Sequence, residues 1–451
     1  MTRRLMRSRL PEWVDPELAL ARMQAAHLGD ITVWLDAGPA ATEGLSYLSL
    51  PTGRMLTDSS PVDHATGSDI FTALRSSLAH DADIDTTEAR DDGFSLGWVG
   101  WFGYELAALT TGIPVADAPT DDARVVYVDW ALEYDHAAHT MDLLALASTV
   151  DEFEGIRFAV SSALTADVCL HAPVLGEPAS VRWRHDRNRY TELVQRCLDH
   201  ITAGDAYQLC LTNTATVEGT HDALAVYRRL RRENPSHHGG LLVFGDTALL
   251  SSSPEVFLRV TPEGLATTKP IKGTRPRGVG EADAALALEL QANEKERAEN
   301  LMIVDLMRND LGRVADLGTV SVDALLEVET YPHVHQLVST VSAQLAPGLT
   351  ALDAVEACFP AGSMTGAPKI SAMRILHELE QGPRGLYSGA FGYLGINGAA
   401  DLAMVIRSIV VTETEATIGT GGGITSGSEP QAEYEEMQLK AAPLLRALNV
   451  R

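Results

Sequence analysis

Short apolar segments of strand length, separated by turn residues, recur through the first 180 residues of the chain. Ile31–Leu35 and Val125–Trp130 are two of them, and their β-branched and aromatic content is typical of strands in an antiparallel sheet. Gly97–Tyr104 alternates glycine with aromatic residues, which predicts closely packed backbones in a core. A regular strand–helix–strand repeat is missing, so the pattern does not indicate a parallel sheet.

Helical patterns become frequent in the rest of the chain. Arg187–Ala203 carries apolar residues at helical spacing and is followed by Gly204, a typical residue at a helix end. Glu281–Leu311 and Gln431–Leu448 are also predicted to be largely helical. Asp167–Arg182, with two prolines and a glycine, is the best candidate for a boundary. The length allows two or three domains, or one large interwoven unit.

The chain is strongly acidic, with 61 Asp and Glu against 35 Lys and Arg and a net charge of −26. This argues against binding to nucleic acid or to an anionic membrane, and an anionic substrate would need a locally basic pocket. We find neither a signal peptide nor an apolar stretch of about 18 residues. The four cysteines are widely spaced and indicate reduced core residues of a cytoplasmic protein.

Lys272 lies in the run Pro270–Thr274, which follows a predicted strand at Glu255–Val260. The composition of this run predicts a tight turn that presents the lysine. A lysine that is partly desolvated, or held near another cation, loses its proton more readily, and its free amine is a nucleophile. The alternative is an exposed lysine in a polar loop, which is the commoner environment of this residue.

Two pairs of glutamates share one spacing, Glu296 with Glu299 and Glu433 with Glu436. On a helix, this spacing puts both carboxylates on one face. Two such helices facing each other would form an oxygen-rich site suited to Mg²⁺, which binds a few carboxylates and keeps positions for water and an anionic ligand. Taken alone, either pair is more typical of a solvated helix face.

Three further features suggest an anion site and a proton donor. Gly419–Ile424 contains a glycine run whose backbone N–H groups could face a carboxylate, although such a run is also typical of a flexible turn. Arg407 interrupts an apolar strand, where it would either bind a carboxylate or face solvent. Glu255 could act as a general acid if burial kept it protonated, whereas at a strand edge it would be an ordinary charge.

In their order along the chain, these and further motifs resemble the chorismate-utilising enzymes, which include anthranilate synthase component I, aminodeoxychorismate synthase component I, isochorismate synthase and salicylate synthase. The resemblance is close over residues 187–448, the expected catalytic region. Residues 1–180 are more loosely similar to the N-terminal region of anthranilate synthase component I. The fold that it implies is of the α/β (α+β) class, with two packed antiparallel sheets and helices on the outside. The motifs are Gly204–Gln208, Ser253–Glu255, Pro270–Thr274, Lys295–Glu299, Leu306–Asp310, Thr365–Lys369, Tyr387–Gly389, Arg407, Gly421–Gly423 and Ala432–Glu436.

Two positions distinguish the branches of this family by their nucleophile. Isochorismate and salicylate synthases are similar in having a lysine that activates water where this chain has Gln208. Anthranilate synthases typically have alanine at the position of Lys272, whereas aminodeoxychorismate synthases have lysine. The resemblance therefore implies the branch that converts chorismate and ammonia to 4-amino-4-deoxychorismate, for para-aminobenzoate and folate. The alternatives are an anthranilate-type or other aminating enzyme of secondary metabolism, and a degenerate relative that only binds ligands.

The resemblance also implies roles for individual residues. Lys272 would attack C2 of the ring while Glu255 protonates the departing C4 hydroxyl, and ammonia would then add at C4 and expel the lysine. Mg²⁺ is the implied cofactor. Its ligands would be Glu296, Glu299, Glu433 and Glu436. The residues implied in substrate binding are Gly273, Thr274, Ser363, Tyr387, Arg407, Gly421, Gly423 and Lys440.

The implied partners are chorismate, ammonia and a separate glutamine amidotransferase subunit, because none of the cysteines lies in a Gly-x-Cys-x-Gly turn. The chain departs from the family where histidine is usual and Gln336 stands instead. Either the neighbouring His335 takes over that role or the role is dispensable. Ser363 stands where threonine is usual. In the first region, Leu45–Ser49 is the suggested position of a tryptophan-sized pocket like that of relatives.

Overall fold

The computed structural model describes residues 3–58, 69–91, 93–168, 170, 180–331 and 334–450. Cys169 and most of the expected boundary at Asp167–Arg182 lie outside these residues. The other three cysteines, Cys197, Cys210 and Cys358, are buried free thiols, as predicted. Within the described part of the chain, no helix is both long enough and apolar enough to cross a membrane.

The described residues form strands that we number in chain order. They are β1 (Arg4–Arg9), β2 (Thr32–Asp36), β3 (Leu45–Ser49), β4 (Met55–Asp58), β5 (Gly97–Phe102), β6 (Ala123–Val128), β7 (Trp130–Asp135), β8 (Thr140–Ala147), β9 (Val181–Trp183), β10 (Gln208–Glu218), β11 (His238–Phe244), β12 (Thr247–Ser253), β13 (Val256–Val260), β14 (Leu265–Thr268), β15 (Ile271–Pro276), β16 (Ser321–Thr330), β17 (Val334–Gln344), β18 (Gly366–Ala367), β19 (Ala390–Gly395), β20 (Ala400–Met404), β21 (Ser408–Val411) and β22 (Glu415–Ile424).

The α-helices of the described residues are numbered in the same way, and two short 3₁₀ helices lie at Tyr104–Leu106 and Gly362–Met364. The α-helices are α1 (Pro16–Ala25), α2 (Ile70–Asp81), α3 (Ala107–Thr111), α4 (Val150–Leu164), α5 (Arg187–Ala203), α6 (Ala223–Glu233), α7 (Glu281–Ala292), α8 (Glu294–Gly312), α9 (Ala351–Cys358), α10 (Lys369–Glu380) and α11 (Pro430–Ala447).

Two antiparallel sheets contain these strands, and the predicted fold class is confirmed. The first sheet has the order β1-β8-β7-β3-β2-β11-β12-β21-β22-β10-β18, with β9 paired to β10. The second has the order β15-β17-β14-β13-β20-β19-β5-β6-β4, with β16 paired to β17. Both sheets take strands from each side of the expected boundary, so the two parts of the sequence form one interwoven unit.

The main hydrophobic core lies between the two sheets. Trp101 on β5 of the second sheet stacks on Phe244 on β11 of the first, with ring centroids 4.8 Å apart. The glycine–aromatic strand β5 is buried along its whole length, as its sequence predicts. A second core forms where α1, α4, α6 and α11 cover the outer face of the first sheet. Helices therefore lie outside and the sheets face each other, which is a stable layer arrangement.

Local sequence explains the helix ends that later matter for the site. α5 spans Arg187–Ala203 as predicted and ends at Gly204, which adopts the left-handed conformation with φ 86°. The predicted helical stretch Glu281–Leu311 is divided at Asn293. The side chain of Asn293 accepts a hydrogen bond from the backbone N–H of Glu296 and so starts a new helix. This division puts Glu296 in the first turn of α8.

Candidate active site

Lys272 lies half-buried on β15, at one end of the second sheet. The predicted tight turn at Pro270–Thr274 is wrong, because this run is an edge strand that pairs with β17 through an irregular step. A bulge redirects the side chains of an edge strand without ending it. Gly273, with φ 81°, provides the left-handed residue for this step and packs directly against Glu296. Lys272 is therefore held beside the start of α8.

Glu255 is buried at the point where the chain passes from β12 in the first sheet to β13 in the second. Burial raises the pKa of Glu255 to about 6. The positive charges of Lys272 and Lys440 and a hydrogen bond with Ser363 limit this rise. Three other predicted site residues thus act on the carboxyl group of Glu255. A carboxyl group with a pKa this close to neutrality can both donate and accept a proton.

Arg407 lies at a second crossing between the sheets. It follows β20 of the second sheet and precedes β21 of the first, with a left-handed φ of 51°. The expectation that Arg407 interrupts a strand is therefore wrong, because the chain changes sheets at this residue. The two crossings are joined, since the N–H of Ser252 donates to the carbonyl of Arg407 and that of Met404 donates to the carbonyl of Glu255. We call this pair of crossings, at Glu255 and Arg407, the seam between the sheets, and the candidate site lies along it.

The two pairs of glutamates lie near the N-terminal ends of α8 and α11. Burial raises the pKa of Glu299, and the nearby Glu296 and Glu433 add to the rise. Burial also raises the pKa of Glu433, with a further contribution from Glu436. For Glu436, burial is outweighed by nearby lysines, chiefly Lys440, and its pKa is lowered. Carboxylates of both helices are therefore close enough to repel one another.

Each of these four carboxylates faces a basic side chain. The N–O distances are 3.6 Å for Arg275 and Glu296, 2.7 Å for Lys440 and Glu436, and 3.9 Å for Lys295 with both Glu299 and Glu433. Lys295 belongs to α8 and Glu433 to α11, so one ammonium group reaches both acidic helices.

The carboxylates fit a Mg²⁺ site in their chemistry. They are hard oxygen donors, and Oε1 of Glu299 is buried without a hydrogen-bond partner among the described residues. In the described parts of the chain, however, no three His, Cys, Asp or Glu side chains are already gathered into a metal-binding cluster. The residues that could hold the ion thus lie on α8 and α11 without forming a cluster, and basic side chains are their present neighbours.

The glycine run at Gly419–Gly423 forms the end of β22 and is not a flexible turn. It pairs with β10 on one side. On the other side, β21 pairs with β22 only at Ala416 and Thr417 among the described strands. Alternate residues of an antiparallel strand direct their N–H and C=O groups away from the partner. Beyond Thr417, this edge can therefore offer backbone groups to an anion, and Lys440 Nζ already donates to the Gly421 carbonyl at 2.9 Å.

Tyr387 lies flat on the same strand. A Cβ atom at Gly419 would fall 2.0 Å from Cγ of Tyr387, so only glycine permits this contact. Burial raises the pKa of Tyr387 and lowers that of Arg407, and the two side chains are close enough to influence each other. Ser388, like Arg407, has a left-handed φ, here 70°. Non-glycine residues in this conformation are uncommon and often mark functional sites.

Thr274 is exposed on β15, opposite Gln336 of β17. The ring of the neighbouring His335 is held between α7 and β16. Its Nε2 lies 2.8 Å from Asp283 and its Nδ1 lies 2.9 Å from Thr330, so both ring nitrogens are engaged. The motif lysine Lys369 is likewise structural.

The role of Lys369 follows from its contacts. Its Nζ donates to Asp310 at 2.6 Å and to the carbonyls of Cys358 and Pro360. These bonds fix the start of α10 against α8 and the end of α9. Lys369 and Asp310 belong to two of the motifs in the resemblance, which therefore includes residues that support the fold.

Sequence reasoning missed two features of the site. From the sequence, Gln208 is only the residue that stands where isochorismate and salicylate synthases have lysine. In the structure, its side-chain Nε2 and Oε1 are buried and have no hydrogen-bond partner among the described residues. A Cβ atom at Gly423 would lie 2.7 Å from Gln208 Nε2, so the amide lies against the glycine strand. The second feature is the buried ion pair of Arg384 and Glu380, 2.8 Å apart, which also binds Ser388. The i, i+4 spacing of Glu380 and Arg384 is the sequence pattern from which this ion pair could be predicted.

The family of chorismate binding enzymes matches residues 37–446 of the chain. The chain belongs to the chorismate-binding enzymes. This family member is 42% identical to the aminodeoxychorismate synthase of Streptomyces griseus over 468 residues, which covers 99% of the chain and 64% of that relative. It is 48% identical to the aminodeoxychorismate synthase of Streptomyces pristinaespiralis over 366 residues, which covers 79% of the chain and 51% of that relative. The chain thus spans about half to two thirds of the length of these relatives.

Other chorismate-binding enzymes are similar over comparable lengths. Anthranilate synthase component 1 of Thermus thermophilus is 41% identical over 365 residues, which is 78% of either chain. The crystal structure of anthranilate synthase component I from Streptococcus pneumoniae superposes with a TM-score of 0.79 at 31% identity, over 90% of this chain and 93% of the other. The isochorismate synthase MenF from Escherichia coli shares the fold. Its TM-score is 0.74 at 19% identity, over 99% of this chain and 94% of the other.

Proposed function

We propose that this chorismate-binding enzyme forms 4-amino-4-deoxychorismate from chorismate and ammonia through a covalent adduct of Lys272. The observation that carries the proposal is that the charge of Lys272 acts on Glu255, a carboxyl group whose pKa burial raises to about 6. A nucleophile next to a group that can donate a proton is what a displacement of hydroxide requires. The similarity to two aminodeoxychorismate synthases, at 42% and 48% identity, supports the same activity.

The reaction consists of two displacements. The unprotonated amine of Lys272 forms a bond to ring carbon C2, both conjugated ring double bonds shift, and the C4–O bond breaks as Glu255 gives its proton to the departing hydroxyl, so that water leaves. Ammonia then forms a bond to C4, both double bonds shift back, and the C2–N bond to Lys272 breaks. The extra proton of the added ammonia is available to restore Glu255. Each step avoids direct displacement of a poor leaving group.

Substrate binding uses the seam between the sheets. Arg407 and Tyr387 bind the enolpyruvyl carboxylate, because a guanidinium and a phenol are suited to a planar anion. Backbone groups of Gly421 and Gly423, with Lys440, complete the anion site. The remaining residues next to the ring are Gly273, Thr274 and Ser363.

Glu296, Glu299, Glu433 and Glu436 would hold Mg²⁺. When bound, the ion supplies positive charge that grips the ring carboxylate and polarises the ring. The orphaned, buried oxygen of Glu299 supports this assignment. We also propose that ammonia reaches the site from glutamine through an amidotransferase partner, and that the product serves para-aminobenzoate and folate synthesis in the cytoplasm.

The second candidate is an anthranilate-type amination at C2, which the 41% identity to a component 1 of anthranilate synthase supports. Product analysis separates the two. The chain is incubated with chorismate, Mg²⁺ and ammonium at alkaline pH, and the product is identified by mass spectrometry and NMR. We expect 4-amino-4-deoxychorismate. Anthranilate or a C2-aminated ring as the main product would overturn the proposal, as would the absence of chorismate turnover.

A further inference from the structure

Lys295 occupies a gap between the two acidic helices. Its Nζ lies 3.9 Å from a carboxylate oxygen of Glu299, one turn along α8, and 3.9 Å from a carboxylate oxygen of Glu433 on α11. The two oxygens therefore lie within twice that distance of each other. The Glu433 side chain is only 5% exposed, whereas that of Lys295 is 53% exposed. A half-exposed ammonium group thus compensates carboxylates that are themselves largely withdrawn from water.

The other two basic side chains within ion-pair distance of these carboxylates have further partners. Arg275 lies 2.6 and 3.0 Å from Glu289, closer than its 3.6 Å contact with Glu296. Lys440 is fixed by a hydrogen bond to the Gly421 carbonyl. Lys295 donates no hydrogen bond to any of the described residues. Its side chain can therefore leave for solvent without breaking one.

We propose that Lys295 is the exchangeable counter-ion of this carboxylate site. It neutralises Glu299 and Glu433 while no metal is bound and swings into solvent when Mg²⁺ enters. The proposal rests on the proposed function in one respect, the assignment of these carboxylates as metal ligands. An ammonium group and a divalent cation repel each other strongly at contact distance, so the two compete for the same oxygens.

The competition has a measurable consequence for metal affinity. If Lys295 must be displaced, part of the binding free energy of Mg²⁺ is used to break its contacts. Removing the charge should therefore lower the Kd for Mg²⁺, by roughly three- to tenfold for contacts of this exposure. The metal-free protein should at the same time become less stable, since two carboxylates that repel each other lose one of their nearby cations.

Titration calorimetry of the folded chain with MgCl₂, in the absence of chorismate, tests this without any catalytic readout. The test variant is Lys295→Met, which keeps a long unbranched side chain in the helix. The matched control is Arg308→Met, which removes one positive charge from the same helix at an exposed position 3.4 Å from Asp305. Lys295→Arg keeps the charge and should stay within about twofold of the wild type.

A lower Kd in Lys295→Met, together with an unchanged Kd in Arg308→Met, would support the counter-ion role. An unchanged or higher Kd in Lys295→Met would overturn it, because the lysine would then be remote from the ion or would assist its binding. Should Lys295→Met fail to fold, Lys295→Gln is measured in the same way. Product identity, measured on the same wild-type preparation, decides the amination reaction separately from the metal affinity.

Discussion

The backbone at Gly273 runs so close to Glu296 that a Cβ atom there would lie 2.9 Å from the carboxyl carbon of the glutamate. Gly273 directly follows the candidate nucleophile, and Glu296 is a candidate metal ligand. This contact therefore fixes how far the candidate nucleophile, Lys272, lies from the candidate metal site at Glu296. Glycine is needed at position 273 for two reasons, the left-handed φ of 81° and the close approach to Glu296.

We predict that Gly273→Ala lowers Mg²⁺ affinity and activity by displacing Glu296. The left-handed backbone alone makes alanine unfavourable by about 1–2 kcal/mol. Gly280→Ala is the matched control, because Gly280 also has a positive φ, 60°, but a Cβ atom there meets nothing within 4 Å. Thermal unfolding should show a larger loss for Gly273→Ala, because its Cβ also meets Leu290 and Glu296, while kcat and the Mg²⁺ Kd change only in Gly273→Ala. Equal activity in the two variants would contradict this role.

The sequence predicted which side chains come together better than it predicted the backbone that carries them. Arg187–Ala203 and the acidic helices were readable because helical periodicity and capping residues act locally. Arg407 was mistaken for a strand residue, because its apolar neighbours look alike whether the chain continues in one sheet or crosses to the other. Pro270–Thr274 was mistaken for a turn for a similar reason. Its pairing partner β17 lies more than one helix away in sequence, and local composition carries no information about it.

Lys272→Ala should lower formation of the C4-aminated product by more than about a hundredfold, because the covalent route is lost. Ammonia can then add directly at C2, so we expect the residual product to change. Lys272→Arg should not restore activity, since a guanidinium stays protonated.

The adduct itself can be observed. Incubation of the wild type with chorismate and Mg²⁺, but without ammonia, should add mass to the peptide that contains Lys272. Lys272→Ala is the control and should gain none. Wild-type rates and the same product in Lys272→Ala would show that this lysine has only an electrostatic or structural role.

Gln208→Met should leave the protein as stable as the wild type or about 1 kcal/mol more stable, while lowering activity at least tenfold. A buried amide with no hydrogen-bond partner is unfavourable for folding, and methionine fills a similar space without that penalty. Such a group is retained when a ligand uses it. Chemical denaturation and steady-state rates with ammonia measure the two effects.

Asn213→Leu provides the contrast for Gln208. Asn213 is equally buried, but its amide exchanges hydrogen bonds with the backbone of His185. Its removal should destabilise the protein by about 1–3 kcal/mol. Full activity in Gln208→Met would contradict a role of the amide in binding substrate or ammonia.

Glu255→Gln should abolish one pH-dependent part of stability and most of the activity. The pKa of Glu255 is raised from 4.5 to about 6 in the folded protein, so ionisation disfavours folding. The favourable contribution of the protonated group is fully present below about 4.5 and is lost as the pH rises through about 6. The size of this loss is about 2 kcal/mol. The variant should therefore gain stability relative to the wild type across this window and keep the gain at neutral pH.

Activity of the wild type should follow the same titration and fall over the same pH range. In the proposed mechanism, protonated Glu255 is the donor to the departing hydroxyl, so we expect its contribution to kcat/KM to fall as the pH rises through about 6. The Glu255→Gln variant cannot donate this proton. We expect its kcat/KM to be about a hundredfold lower and not to fall as the pH rises through about 6. Unfolding curves and kcat/KM, each measured for both proteins from pH 4 to 8, check the two expectations together. A stability difference that does not change between about pH 4.5 and 6 would place the titrating group elsewhere.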